Sequence, residues 1–232
     1  MPARGQKPWN KKFVDESAFD ELDERKAALF GLLMADGRLS RSGRQRHLTL
    51  CLALREPGPV YLLKEVLGAE HDVRVYQPVG PEDYIYALSH SLSIMVSDHL
   101  STRLQGLGMT HPKPTRCPTG IPQSLESHFV RGYFEGDGSV WWWQPRTRSY
   151  SGCTNSNIAV HPPMAKWLSS IFEREGVIGG CYQMNGCLRL VFGKASSEKL
   201  YHYLYGGATT ILLPEKKRRF EELLSRSAGG GS

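Results

Sequence analysis

Two apolar segments that share a pattern of glycines and an aspartate dominate the distribution of hydrophobic and polar residues along the chain. They are 29–37, LFGLLMADG, and 130–138, VRGYFEGDG. Aligned without a gap, both have glycine at the third position, a small residue at the seventh, aspartate at the eighth and glycine at the ninth. The two aspartates, Asp36 and Asp137, are 101 residues apart. The chain therefore contains an internal repeat.

Hydrophobic periodicity around each motif predicts the same order of elements twice: a helix, two strands, a helix, two strands and a helix. The predicted fold class is therefore α+β, with two pseudo-symmetric α-β-β-α-β-β-α repeats. After a polar, turn-rich segment at 38–46, residues 47–54 alternate with period two, which is typical of a half-buried strand. The first repeat has predicted helices at 24–35, 59–67 and 93–107 and strands at 47–54, 73–77 and 84–89.

The second repeat follows a connector at 110–123 whose four prolines predict an extended segment. Ser124 is expected to cap the second motif helix, which starts near Leu125. Hairpins are predicted at 139–154 and at 180–192, where Asn185–Gly186 forms the turn, and helices at 163–175, 196–205 and 214–225. We divide the chain into an N-terminal extension (1–22), a first half (23–109), a proline-rich linker (110–123), a second half (124–225) and a flexible tail (226–232).

Small residues recur four positions apart in both motif helices, at Gly31 and Ala35 and at Gly132 and Gly136. Residues with this spacing share one helix face and allow the backbone of another helix to approach closely. Glycine in a helix interior costs about 1 kcal/mol relative to alanine, so two copies of the stripe need a reason. We expect the two motif helices to pack against each other.

Composition narrows the class of protein further. The chain has 232 residues, 40% of them hydrophobic and 22% charged, with a net charge of +6 and a pI near 9.1. This is typical of a globular protein with a weak preference for polyanionic partners. The five cysteines are odd in number and lack a Cys-x-x-Cys pair, which disfavours a disulfide framework or a zinc site. No apolar run approaches the roughly 18 residues of a membrane span, and we expect an intracellular protein.

Each motif helix is predicted to end on an acid. The helix dipole is negative at that end, so a carboxylate there is unfavourable by up to about 1 kcal/mol. Two such carboxylates brought together would also repel each other. Another group must therefore stabilise Asp36 and Asp137.

The motifs, each of the form Leu-Ala-Gly-Leu-Ile-Asp-Ala-Asp-Gly and each leading into an α-β-β-α-β-β-α unit, resemble those of the single-chain, two-motif LAGLIDADG homing endonucleases. The resemblance covers nearly the whole chain, from Glu24 to Ser225. The second copy is the closer one, while the first departs at Met34, where the family often has an acid. The resemblance implies that the motif helices pack at a pseudo-twofold axis, each beside a four-stranded antiparallel saddle sheet.

The resemblance also implies a metal-dependent active site. It assigns Asp36 and Asp137 as catalytic metal ligands, one for each DNA strand, with Ala35 and Gly136 beside them in the metal site. Hard cations prefer carboxylate, water and phosphate oxygens, so Mg²⁺ is the expected cofactor. Mn²⁺ is expected to substitute, and Ca²⁺ to bind without cleavage. A single aspartate of this kind is more often an ordinary surface residue, but the repeated pair favours a shared function.

A basic residue near each active site is another family feature, and Lys113 and Lys216 are the candidate catalytic lysines. Lys113 follows Asp36 by 77 residues, and Lys216 follows Asp137 by 79. Because Lys216 begins a basic run, the assignment could belong to Lys217 instead. Solvated or phosphate-contacting surface is the alternative role for both lysines.

The family fold implies that the concave face of each sheet lies along the major groove. Counting in twos along the strands predicts which side chains lie on that face, with Val140 and Trp142 facing inward. Trp141 and Trp143 could contact thymine methyl groups or sugars, or could form satellite packing. The full set of predicted DNA-binding residues is Arg38, Ser40, Ser42, Arg44, Gln45, His47, Thr49, Arg74, Tyr76, Ser139, Trp141, Trp143, Arg146, Arg148 and Arg189.

These expectations describe a monomeric, site-specific homing endonuclease that makes a double-strand break in a DNA target of roughly twenty base pairs, a length implied by the resemblance. No protein partner or membrane is expected. Two alternatives use the same fold: an intron-RNA-binding maturase and a DNA-binding regulator that does not cleave. Retention of both Asp36 and Asp137 argues against a regulator with decayed motifs, but a maturase activity stays open.

Overall fold

The structure is a computed structural model that describes residues 12–53, 57–76, 89–143, 152–184 and 187–229. Within these ranges the helices are α1 (Glu24–Asp36), α2 (Gly58–Val66), α3 (Asp98–Gly106), α4 (Glu126–Asp137), α5 (Pro162–Arg174), α6 (Lys194–Tyr205) and α7 (Pro214–Gly229). The strands are β1 (Arg38–Ser42), β2 (Gln45–Ala53), β3 (Arg74–Tyr76), β4 (Ser89–Val96), β5 (Gly138–Trp143), β6 (Cys153–Val160), β7 (Gly180–Met184) and β8 (Cys187–Phe192).

The eight strands form two four-stranded antiparallel sheets with the same topology. The order is β1-β2-β4-β3 in the first repeat and β5-β6-β8-β7 in the second. One face of the first sheet is apolar, since Leu48, Leu50, Leu92 and Ile94 are all fully buried. The predicted α+β class and the two pseudo-symmetric repeats are therefore confirmed.

The two motif helices, α1 and α4, form the centre of the molecule. Residues 27–35 of α1 are all buried, so this helix has apolar neighbours on every side. A Cβ atom at Gly31 would lie 2.0 Å from the Phe129 carbonyl oxygen, and one at Gly132 would lie 1.8 Å from the Ala28 carbonyl oxygen. Only glycine allows these backbones to approach so closely. The predicted packing of the motif helices is confirmed.

One predicted helix start and one predicted helix cap were wrong, while the second motif helix begins at Glu126, close to the predicted Leu125. The predicted helix at 93–107 begins only at Asp98, because Ser89–Val96 continues the alternation of buried and more exposed residues as β4. Ser97 caps α3, and its hydroxyl accepts a hydrogen bond from the Leu100 N–H at 3.3 Å. Ser124 does not cap α4, because it lies in a short 3-10 helix, Gln123–Leu125, that runs directly into α4.

Two segments predicted without regular structure contain some. The polar segment after the first motif forms β1 and turns into β2 at Gly43, whose φ of 59° suits glycine. The proline-rich linker contains a short 3-10 helix, Lys113–Thr115. The hairpin turn predicted at Asn185–Gly186 lies outside the described residues.

The described part of the N-terminal extension packs on the first repeat. Ala18 and Phe19 are buried, and the Asp15 N–H donates to the Leu67 carbonyl at 2.7 Å. Arg103 donates from α3 to the Phe19 carbonyl at 2.8 Å. All five cysteines are free thiols. Among the described residues, no helix has the length and apolar character needed to cross a membrane.

Candidate active site at the paired helix ends

Asp36 and Asp137 are the last residues of α1 and α4. Because the two helices pack side by side, they bring both aspartates to the same end of the interface. A Cβ atom at Gly136 would lie 2.9 Å from Asp36 Oδ2, so the Asp36 carboxylate lies against the last turn of α4. This Cβ atom would also lie 2.5 Å from the Ala35 Cβ atom, so glycine at position 136 allows the last turns of the two helices to pack closely.

A buried arginine stabilises the end of α1. Arg116 comes from the proline-rich linker, is only 4% exposed, and donates from Nη1 to the carbonyl oxygens of Leu33 at 3.4 Å and Met34 at 2.9 Å. Its Nε donates to the Thr110 carbonyl at 3.2 Å. A cation is favourable at a helix C-terminus, and here it adds a donor to the Leu33 carbonyl, which also accepts from the Gly37 N–H, and one to the Met34 carbonyl.

A lysine plays the same part at the end of α4. Lys216, in the first turn of α7, donates from Nζ to the Phe134 carbonyl at 3.3 Å and to the Gly138 carbonyl at 2.9 Å. It also donates to the carbonyls of Glu135 and Gly136. Each motif helix thus ends beside a cation, which answers how an acid can occupy its last position.

Arg116 and Lys216 are equivalent in the two repeats. Arg116 contacts the carbonyls of Leu33 and Met34, and Lys216 contacts those of Phe134 and Glu135, 101 residues later in each case. The two cations are themselves 100 residues apart. The spacing along the chain suggested Lys113 as the counterpart of Lys216, and Arg116 was not predicted. Arg116 follows Asp36 by 80 residues, close to the 79 between Asp137 and Lys216, but nothing else in this irregular linker distinguishes it from other basic residues.

Lys113 reaches across the pseudo-twofold axis. Its Nζ lies 3.1 Å from Asp137 Oδ2, although Lys113 follows the first repeat in the chain. The lysine is 39% exposed and the aspartate 19% exposed, so the ion pair lies at the rim of the site. Its spacing of 77 residues from Asp36 had suggested Asp36, and not Asp137, as its neighbour.

The electrostatic environment of Asp36 reflects the convergence of charges. Burial by the surrounding protein raises the pKa of Asp36, and the negative charge of Asp137 raises it further. The positive charges of Lys113 and Lys216 oppose these effects on the pKa. The charges of both lysines therefore act on a site that contains both acids.

Glu135 is a fully buried acid two residues before Asp137, at the position where the first motif has Met34. Its Oε2 accepts hydrogen bonds from the backbone N–H groups of Leu212 at 3.0 Å and Leu213 at 3.3 Å. Burial raises the pKa of Glu135 to about 7, although these hydrogen bonds and the charge of Arg131 oppose the shift. The sequence signal for this residue was an acid directly after Tyr133 and Phe134 in the last turn of the motif helix.

No family model matches the sequence, and no relative was found among curated proteins. Solved structures do match. The homing endonuclease I-WcaI bound to its DNA recognition sequence is 9% identical, with a TM-score of 0.59 over 88% of this chain and 91% of that chain. The LAGLIDADG meganuclease I-AabMI bound to uncleaved DNA is 12% identical, with a TM-score of 0.59 over 89% and 91%. The chain has the LAGLIDADG fold.

A third similar structure is I-SmaMI bound to an uncleaved DNA target in the presence of calcium ions. It is 13% identical, with a TM-score of 0.50 over 88% of this chain and 98% of that chain. At these identities the likeness extends to the fold alone. The positions of individual site residues in this chain are therefore described from its own contacts.

The first sheet presents a polar face opposite its buried one. Strand register places Arg38 opposite Thr49, Ser40 opposite His47 and Ser42 opposite Gln45, so these six predicted residues share one face. Arg44 is exposed in the turn between β1 and β2. The same register adds Ser93, whose hydroxyl lies 3.0 Å from that of Thr49, and Ser91, which is opposite Arg74. Ser93 was not predicted on this face because residues 93–107 were expected to form a helix.

The second sheet has a corresponding polar face. Ser139 is opposite Asn157, Trp141 is opposite Asn155, and Arg189 Nη1 donates to Asn157 Oδ1 at 2.9 Å. The two asparagines were missed, although period two along β6 would have found them once its end was extended beyond residue 154.

The three tryptophans of β5 have different environments. Trp143 is 47% exposed, and Trp141 is half-buried on the same face. Trp142 is on the opposite face, where the Arg226 guanidinium lies 5.1 Å from the ring centroid. The prediction that Trp142 faces away from the polar face is therefore confirmed. Arg146 and Arg148 lie outside the described residues, and so does the side chain of Tyr76.

Proposed function

We propose that this chain is a monomeric, site-specific endonuclease that cuts one phosphodiester in each strand of duplex DNA by divalent-metal-dependent hydrolysis. The observation that carries the proposal is the delivery of two aspartates, one from each repeat, to a single centre between two sheets. Similar solved structures are homing endonucleases bound to DNA, and their fold is shared over nearly the whole chain. This supports a nuclease rather than a protein that uses the fold only for binding.

The residues at the helix ends fit a hard divalent cation. Asp36 and Asp137 offer carboxylate oxygens, and a cation between them would relieve the repulsion that raises the pKa of Asp36. No group of three or more His, Cys, Asp or Glu side chains that could hold a metal occurs among the described residues. Water, DNA phosphate and backbone oxygens near Ala35 and Gly136 would therefore complete the coordination.

Mg²⁺ is the proposed cofactor, since carboxylate, water and phosphate oxygens are its preferred ligands. When bound, it would lower the pKa of the attacking water and stabilise the leaving oxygen. One similar structure was solved with uncleaved DNA in the presence of calcium ions. This supports Ca²⁺ as a cation with which to hold this chain and DNA together without cleavage.

The chain's own cations would complete the chemistry. Lys113 is partly exposed beside Asp137, so its ammonium group could approach a phosphate oxygen. Lys216 is held at the end of α4 by backbone carbonyls, where its charge acts on Asp36. Positive groups fixed near a reacting phosphodiester stabilise the negative charge that develops in the transition state.

The two polar sheet faces are the proposed DNA-binding surface. Arg38, Arg74 and Arg189 lie on these faces, and arginine donates well to guanine and phosphate. Hydroxyl and amide side chains, such as Thr49 and Asn157, can hydrogen-bond to base edges. The net charge of +6 favours a polyanion.

The test is to select cleaved sites from a randomised duplex library with Mg²⁺ and to compare the products with those obtained with Ca²⁺ or EDTA. We expect a single family of sites of roughly twenty base pairs, a length implied by the family resemblance, cut on both strands only with Mg²⁺ or Mn²⁺. Asp72→Asn is the matched control, because Asp72 pairs with Lys12 and is 80% exposed. It should leave cutting unchanged.

Binding without cutting in every metal would contradict the proposal. Binding of structured RNA in preference to the selected duplex would instead favour a maturase. Cutting that persists in EDTA would refute the proposed metal dependence while leaving a nuclease in place.

A further inference from the structure

The two repeats differ at the position of Glu135, which lies close to Lys216. The residue that corresponds to it in α1 is Met34, 101 positions earlier. Glu135 is completely buried, and burying a carboxylate is costly unless it gains hydrogen bonds. The buried Arg131, one turn earlier in α4, supplies an opposite charge, and the hydrogen bonds of Glu135 supply the rest of the compensation.

The hydrogen bonds of Glu135 lead directly to α7. Its Oε2 accepts the N–H groups of Leu212 and Leu213, the two residues before Pro214 begins this helix. A carboxylate at a helix N-terminus satisfies donors that lack helical partners and interacts favourably with the helix dipole. Glu135 thus caps α7 from a different helix.

Lys216 is fixed to the same point. Its backbone N–H donates to the Leu213 carbonyl at 3.1 Å, and its Nζ donates back to carbonyls at the end of α4. The start of α7 and the end of α4 are therefore connected in both directions. The end of α1 has no such acid, since Met34 cannot accept these hydrogen bonds, and its cation, Arg116, is held within the linker.

We propose that Glu135 is a positioning residue for Lys216, a role that rests on the proposed nuclease function and that α1 lacks. By capping α7, Glu135 holds the Lys216 ammonium beside the paired aspartates. The two cleavage centres then differ in how their cations are supported. Loss of Glu135 should displace one cation and leave Arg116 and Lys113 in place.

The first arm of the test does not depend on activity. Amide hydrogen exchange is measured over 212–216 in wild type, Glu135→Met and Glu135→Gln. Methionine is already present at the corresponding position of α1, while the glutamine amide oxygen can still accept both N–H groups. We expect exchange at Leu212 and Leu213 to be at least about ten-fold faster in Glu135→Met and near the wild-type rate in Glu135→Gln. Unchanged exchange in Glu135→Met would overturn the proposal.

The second arm measures cutting of each strand of the duplex recovered from the library, labelled separately on its two strands. Lys216→Met identifies the strand that depends on Lys216. Glu135→Met should slow cutting of that same strand by about ten-fold or more, since small displacements of a catalytic group have large effects. The double variant should be no slower than Lys216→Met alone. Equal slowing of both strands, or additive effects, would mean a general structural role instead.

The two arms separate the failure of one proposal from that of the other. If no duplex is cut by wild type, the nuclease proposal fails, and the exchange arm still decides whether Glu135 caps α7. If wild type cuts and the exchange is as expected, but Lys216→Met affects neither strand, the positioning role is refuted.

Discussion

The ends of α1 and α4 have the same backbone arrangement, but different side chains stabilise them. Both helices end in aspartate followed by glycine, and both are fixed by a glycine that lies against the backbone of the other helix. At α1 the cation is the buried Arg116, whereas at α4 it is the half-buried Lys216, positioned beside Glu135. The comparison teaches that helix packing imposes the symmetry, while the surrounding segments are free to differ.

The largest expected effect comes from removing either carboxylate. Asp36→Asn and Asp137→Asn should each reduce double-strand cutting by at least about 1,000-fold, because a lost metal ligand removes several kcal/mol of transition-state stabilisation. DNA binding should persist, since the sheet faces are unchanged. Gel-shift and plasmid-linearisation assays measure the two quantities. If either variant linearises the plasmid as well as wild type, the two aspartates do not have equivalent roles.

A methyl group in the helix interface should have the next largest effect. Gly132→Ala places a Cβ atom 1.8 Å from the Ala28 carbonyl oxygen, and we expect it to lower the free energy of unfolding by about 3 kcal/mol or more. Gly58→Ala is the control, because a Cβ atom there meets no atom within 4 Å. Its effect should stay within about 0.5 kcal/mol. Chemical denaturation measures both, and equal effects would contradict the close packing of α1 and α4.

The two cations should contribute unequally to stability. Arg116→Met removes a donor from the Met34 carbonyl and one of the two donors to the Leu33 carbonyl, both at the buried end of α1, which should cost about 2 kcal/mol. Lys216→Met should cost about 1 kcal/mol, because water can reach the half-buried end of α4. The same denaturation experiment compares them. A larger loss for Lys216→Met would reverse the contrast between a buried and an accessible helix end.

The smallest effect is expected on the first sheet face. Thr49→Val removes the hydrogen bond to Ser93 but keeps a β-branched side chain, so the free energy of unfolding should change by less than about 1 kcal/mol. Affinity for the selected duplex should fall a few-fold if Thr49 contacts DNA. Thermal unfolding and a binding titration test this. A large loss of stability without loss of affinity would make Thr49 a structural residue only.

Features that depend only on the spacing of residues within one helix or strand could be predicted from the sequence. An apolar helix with two small residues four apart predicted the α1–α4 interface, and period-two alternation predicted the shared face of Ser40 and His47. The helix start at Ser93 was wrong because a serine before a mixed apolar segment suits either a strand or a cap. Ser97, four residues later, provides the cap.

The parts that could not be predicted depend on where irregular segments lie in space. Arg116 lies in a linker without periodicity, so nothing local indicated that it reaches the carbonyls of Leu33 and Met34. Spacing along the chain likewise suggested Asp36 as the neighbour of Lys113, whereas its ion pair is with Asp137. Counting residues cannot reveal that a segment crosses a pseudo-twofold axis.

The central claim is that Asp36 and Asp137 hold divalent cations at one shared centre. Its most direct test is calorimetric titration of Ca²⁺ into the chain bound to its selected duplex, with wild type, Asp36→Asn, Asp137→Asn and the control Asp72→Asn. Asp36→Asn and Asp137→Asn should each lose most of the Ca²⁺ binding, while Asp72→Asn should bind Ca²⁺ like wild type. Wild-type Ca²⁺ binding in either Asp36→Asn or Asp137→Asn would contradict it.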